Sequence, residues 1–256
     1  MMTLGLPLST LYAFLLVLAR TSALVAFLPF PGFRDAPDRL RIVLSVGLTL
    51  SLFPVWPVLP NAPLPMGTLV VWAFGEAGLG LVAGIAIGML TDAFQIAMQV
   101  LGLQAGYGYA TTIDPTSQAD AGVLQVVAML MTGLLMFTLG IDREIFKILA
   151  ASFERFPPGS WAPAAASVEG IVKLGSLMFS LALRLAMPVI ALLLLIDVAL
   201  ALLGRIQQQF QLLSLAFPMK MMAALGVLTV LVPTLARVFE ASAGRTLGML
   251  WQSLAR

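Results

Sequence analysis

From Ala121 to Ile141 the chain runs for 21 residues without a charged side chain. A helix needs about 20 apolar residues to cross the hydrocarbon of a bilayer, and this stretch supplies them. Leu4–Phe30 carries a single charge, Arg20, and Val168–Leu203 is a long apolar run marked by Lys173, Arg184, Pro188 and Asp197. With 60% hydrophobic and 10% charged residues among 256, against about 25% charged in an ordinary soluble domain, the chain has more apolar surface than one aqueous core can bury. The expected fold is all-α: a polytopic membrane protein of long, broken hydrophobic helices and helical hairpins, with room for about six or seven spans.

The same composition removes most catalytic chemistry. There is no cysteine and no histidine, hence no disulfide, no thiolate nucleophile, and neither the usual neutral-pH proton carrier nor the commonest nitrogen ligand. No Gly-rich phosphate loop with lysine, nucleophile elbow or metal-ligand spacing occurs, and Asp92, Asp114 and Asp197 lack the motifs of an intramembrane protease. The expectation is a non-enzyme without cofactor or metal. Net charge is +2, from 14 basic and 12 acidic residues with no basic cluster, so nucleic acid is not an expected partner and membrane lipid is. Met1–Arg20 lacks the features of a cleaved signal and reads as a retained first helix.

The apolar segments are repeatedly interrupted. Leu28, Pro29, Phe30, Pro31 and Gly32 end the first helix; Ile42–Phe53 is too short to span and runs into Pro54, Pro57, Pro60, Pro63 and Pro65. From Thr68 to about Leu103 one long helix is expected, on which Glu76, Gly80, Gly84, Gly88 and Asp92 recur every four residues as one face. Glycines at that spacing let another backbone approach closely, so Glu76, Gly80, Gly84 and Gly88 are candidates for helix packing between subunits. Gln104–Asp120 is a 17-residue loop by composition, with Gly106, Tyr107, Gly108, Tyr109, Thr112, Asp114 and Pro115. It is either an ordinary turn or an adaptable loop that lines a passage, because irregular backbone at membrane depth is tolerated inside protein or beside water. Asp142–Ser160 reads as an amphipathic helix and a turn, Gly204–Gln211 as an interruption, Leu212–Leu235 as the last strong segment and the remainder as an amphipathic tail.

Arg20, Glu76, Asp92, Arg184, Asp197, Arg205 and Lys220 lie in or beside apolar segments, where each would cost at least about 2.5 kcal/mol facing lipid. Each therefore needs a partner, an interface or water. If Gly204–Gln211 turns a hairpin, Asp197 and Lys220 fall at matching heights and form a buried pair. Basic residues divide five against six over alternating connectors, so the positive-inside rule assigns no orientation.

In order and spacing these features resemble the FliR family of flagellar export-gate subunits, whose injectisome counterpart is the T-type subunit. The resemblance covers nearly the whole chain. It rests on Arg20 with the Leu28–Gly32 ending, the Glu76 helix with its glycines, Gly102–Gly106 leading to Ala110–Pro115, and Gly204 and Arg205 followed by Phe217, Pro218 and Lys220. It implies a single export-gate subunit, with N-terminal helices in 1–141 and a C-terminal helical hairpin region in 142–256. It further implies assembly with P-type and Q-type subunits into a helical gate held partly above the inner membrane, through which unfolded flagellar proteins pass. A plug loop would map to 106–122, and a loop at the cytoplasmic entrance, where the B-type subunit wraps, to 204–211. The first-helix ending points to the flagellar branch, located at the basal body. The family commonly has Arg-x-x-Pro-Gln-x-Asn at the entrance; this chain has Arg205, Gln208, Gln209 and Gln211, so proline and asparagine are both replaced by glutamine. Broken helices with buried charges also suit a small-solute secondary transporter, although the two halves show no internal repeat.

Overall fold

The structure is a computed structural model that describes residues 7–30, 37–107, 122–161, 165–206 and 212–255. Seven α-helices follow one another there: α1 Leu8–Ala26, α2 Asp38–Ser51, α3 Met66–Ala105, α4 Val123–Thr138, α5 Ile141–Arg155, α6 Ala165–Ile206 and α7 Leu212–Ala255, with a 3-10 turn at Phe53–Val55. Among the described residues there is no strand. Helices α1, α3, α6 and α7 are each long and apolar enough to cross a membrane.

Helix ends follow local chemistry. Pro7 precedes α1 and Pro37 precedes α2, each with extended backbone and each lacking an N–H that would need a partner. Leu28, before Pro29, lies beyond the end of α1, because proline crowds the preceding residue out of helical conformation. Where α2 ends, the Trp56 indole N–H donates to the carbonyl of Thr49 at 2.9 Å and satisfies one of the helix's orphan acceptors.

Hydroxyls on the apolar helices mostly bond to their own backbone. Thr21 donates to the carbonyl of Val17, Ser45 to Arg41, Thr49 to Ser45, Thr132 to Ala128 and Thr229 to Leu225, all at 2.7–2.9 Å. A hydroxyl satisfied four residues back needs neither water nor a neighbouring helix.

The uncharged segment Ala121–Ile141 differs from the single clean span expected of it. Helix α4 has only 16 residues, and Gly140, in the left-handed region at φ 67°, turns the chain by 66° into α5. Sixteen residues make about 24 Å of helix, short of a hydrocarbon core of about 30 Å. Helix α5 is amphipathic, burying Ile141, Ile145, Ile148, Leu149 and Phe153 while Lys147 pairs with Glu144 on its exposed face. Pro157–Ser160 then forms a turn in which the Ser160 N–H donates to Pro157 and Gly159 takes φ 80°, the conformation that type II geometry requires at its third position. At the other end of the chain, α7 continues through Pro218 and Pro233 to Ala255, so the expected tail is the same helix as the last apolar segment.

Two compact units result. The first comprises Met1–Met89, Met136–Gly175 and Ala243–Arg256; the second comprises Leu90–Leu135 and Ser176–Ser242. Helices α3, α6 and α7 contribute to both.

Candidate functional site

In the first unit the organising residue is Arg20, which is 1% exposed. Its Nε donates to Glu76 Oε2 at 2.6 Å, and Nη2 lies 2.6 Å from the same oxygen. Nη1 donates to Ser152 Oγ at 2.8 Å, and Nη2 also donates to the Phe156 carbonyl at 2.8 Å. Ser152 can accept because its own proton is committed to the Leu149 carbonyl at 2.6 Å. The Phe153 ring centroid lies 4.2 Å from the guanidinium carbon, adding a cation–π contact. Glu76 is also 1% exposed, so the charge of α1 is neutralised by α3 while Ser152 of α5 and the Phe156 carbonyl just beyond it accept from the two terminal nitrogens.

The α1 backbone reaches α3 at the glycine face. A Cβ on Gly80 would lie 2.9 Å from the Arg20 carbonyl carbon and nearer still to its oxygen. A Cβ on Gly84 would lie 2.9 Å from the Leu24 carbonyl oxygen, and one on Gly88 3.3 Å from that of Phe27. The neighbour that fills this stripe is therefore α1 of the same chain. Arg20 meets α3 twice, through its side chain at Glu76 and through its carbonyl at Gly80, one turn further on. Nearby, Trp161 packs where a Cβ on Gly78 would sit, and Trp72 covers Gly159.

In the second unit α3 closes at Gly106, with φ 91°, where a Cβ would lie 2.6 Å from the Phe217 ring of α7. The next residue, Tyr107, donates its hydroxyl to the Met221 carbonyl of α7 at 3.3 Å, and burial raises its phenol above the ordinary range, keeping the proton on the donor. Phe94 and Phe239 meet edge to face at 5.3 Å, a second contact of α3 with α7. Lys220 Nζ lies 2.8 Å from Asp197 Oδ1, joining α6 to α7; the lysine side chain is 14% exposed and the aspartate 40%. Arg184 and Arg205 are exposed on α6, and Asp92 is half-buried on α3.

Of the other residues singled out by sequence, Gly108, Tyr109, Thr112, Asp114 and Pro115 of the loop after α3, and Gln208, Gln209 and Gln211 of the loop before α7, lie outside the described residues. Sequence reasoning missed Ser152, Phe153 and Phe156 as partners of Arg20, and Phe217 and Met221 as the surface against which α3 ends. A signal did exist for Ser152: it is the one hydroxyl among the residues that α5 buries.

No cluster of carboxylates able to hold a metal ion occurs among the described residues. What remains is a set of contacts fixing long helices against one another, in a chain with four helices long enough to span and a bent apolar pair, α4 and α5, beside them. The molecule is thus an all-α polytopic membrane protein in which a buried Arg20–Glu76 pair ties α1 to α3 and an Asp197–Lys220 pair ties α6 to α7. The model of the family described as bacterial export proteins, family 1, matches residues 11–246, and the chain belongs to this family, that of FliR. It is 29% identical to the flagellar biosynthetic protein FliR of Escherichia coli strain K12 over 225 residues, 87% of this chain and 85% of that one. It is 28% identical over 221 residues to FliR of Bacillus subtilis strain 168, covering 85% of each chain, and 26% identical over 213 residues to FliR of Aquifex aeolicus strain VF5, covering 82% of each.

Proposed function

We propose that this chain is a pore-forming subunit of the flagellar export gate, passing unfolded flagellar proteins across the inner membrane, with the loop in 106–122 closing the passage. Membership of the export family and likeness to flagellar biosynthetic proteins along most of the chain support its place as a membrane component of the flagellar export apparatus, a transport role and not a catalytic one. The observation that carries the finer reading is the anchored stem of that loop. Gly106 ends α3 against Phe217, and the Tyr107 hydroxyl ties the following residue to the α7 backbone. A glycine-rich polar segment leaving a fixed stem can occupy a passage without carrying the helices with it. P-type and Q-type subunits would complete the wall, and the B-type subunit would meet the loop in 204–211.

Two measurements test this. A carboxyl-terminal tag should recover P-type and Q-type subunits with the chain; a stable lone monomer would instead favour a small-solute transporter. Shortening the segment 106–122 should leave assembly intact and make the membrane leaky to ions, and an ion-tight membrane in that variant would end the plug assignment.

A further inference from the structure

Between α1 and α2, in the first unit, runs a groove of about 350 Å³. Leu18 and Ala26 of α1 line it on one side, and Asp38, Arg41, Ile42 and Val46 of α2 on the other. The two helices run antiparallel, since Phe14 near the start of α1 meets Trp56 just beyond the end of α2 at 5.8 Å. Asp38 and Arg41 therefore stand beside the last turn of α1, and Val46 stands beside Leu18, nearer its middle. With 19 residues, about 28 Å, α1 just matches a hydrocarbon core of about 30 Å, which puts its last turn at headgroup level and Leu18 at acyl depth.

The polarity of the groove follows the same direction. At its mouth, Arg41 Nη1 lies 3.9 Å from Asp38 Oδ1, beyond hydrogen-bond reach, and the aspartate side chain is 93% exposed. A guanidinium has five N–H donors and serves more than one partner. The mouth thus offers a cation and an anion one helical turn apart. Deeper in, Ile42, Val46 and Leu18 are apolar, and the hydroxyl of Ser45 is spent on the Arg41 carbonyl at 2.7 Å. From Asp38 to Val46 the groove extends about 12 Å. A helix about 10 Å across fills roughly 900 Å³ over that length, so a partner helix can lie over this groove but not in it. An extended acyl chain can enter.

We propose that the α1–α2 groove is a binding site for one molecule of phosphatidylethanolamine. Arg41 takes the phosphate in a charge-assisted hydrogen bond, Asp38 accepts from the ammonium at the end of the two-carbon arm, and one acyl chain lies along Ile42, Val46 and Leu18. The pairing of both charges selects a zwitterionic headgroup that can donate hydrogen bonds. This site stands apart from the channel reading, because it requires neither a plug nor a passage.

Native mass spectrometry of the purified chain, with any subunits that accompany it, delipidated in detergent and titrated with single lipids, tests the site. Phosphatidylethanolamine should be retained several-fold better than phosphatidylcholine, whose ammonium has no N–H, and than phosphatidylglycerol, which has no cation. Asp38→Asn should abolish that preference. Arg41→Gln, and Ala26→Phe at the mouth, should each lower phosphatidylethanolamine retention several-fold; Asp38 and Ala26 are exposed, so their variants leave the packing of the helices intact. Equal retention of the three lipids, no retention at all, or a preference that survives all three substitutions would overturn the proposal. So would displacement of the lipid by inorganic phosphate alone, which would leave an anion site without a place for the chain.

Discussion

Replacing Gly80 with alanine adds a single methyl group at the tightest point between α1 and α3. The new Cβ would lie 2.9 Å from the Arg20 carbonyl carbon and nearer to its oxygen, where carbon atoms ordinarily rest about 3.5–4.0 Å apart. Helix α1 must therefore retreat by more than about half an ångström. Arg20 retreats with it, and its hydrogen bond to Glu76, now 2.6 Å, lengthens toward the limit of about 3.2 Å. Overpacking of this kind costs about 1–3 kcal/mol, and loosening a buried ion pair adds part of the 3–5 kcal/mol, roughly, that losing one partner outright would cost. Alanine's better helix propensity returns about 1 kcal/mol. The net expectation is a loss of about 3 kcal/mol. At Gly88, where the new atom would lie 3.3 Å from the Phe27 carbonyl, the propensity gain offsets the contact and the change should be near zero; Gly84, at 2.9 Å from Leu24, falls between. Unfolding of the three variants in mixed detergent and dodecyl sulfate micelles, followed by circular dichroism, would rank them. If the alanine at position 88 proved as costly as that at position 80, the backbone contact with α1 would not be what the stripe provides.

Arg20→Met and Glu76→Met should each lose about 3–5 kcal/mol in the same assay by stranding a buried charge, whereas the double variant should recover most of that; equal losses in all three would deny the pairing. Asp197→Asn or Lys220→Met should lower assembly yield by exposing one charge to an apolar surround at a cost of about 2.5 kcal/mol, and exchanging the two residues should restore it better than either single change. Gly159→Ala combines a positive φ with a Cβ placed on the Trp72 indole, so thermal stability should fall clearly, with no such effect from alanine at Gly170, which has open space around it.

Much of this architecture was legible because lipid-soluble helices announce themselves through length and through the price of their charges. The α3 pattern of Glu76 and glycines, the long apolar run that became α6, and the matching heights of Asp197 and Lys220 all follow from helical spacing alone. The break within Ala121–Ile141 was not legible in hydropathy, because Gly140 adopts positive φ at a point where no charge yet marks the change of direction. The continuity of α7 was hidden for the opposite reason. Pro233 and the charges after it read as an ending, yet a proline inside a long helix costs little when neighbouring groups satisfy the freed carbonyl. Arg20 and Glu76 were each recognisable as needing a partner, but finding one 56 residues away, with Ser152 a further 76 on, takes tertiary structure.

The wide separation of those partners also sets a timetable for biogenesis. A ribosome adds about 5–20 residues per second, so once Arg20 is made about 3–11 seconds pass before Glu76 exists, and longer before Ser152 does. Throughout that interval α1 holds a guanidinium that lipid rejects by at least about 2.5 kcal/mol. Helix α1 is thus poorly able to settle alone, and the counter-ion of its buried charge exists only when α3 arrives.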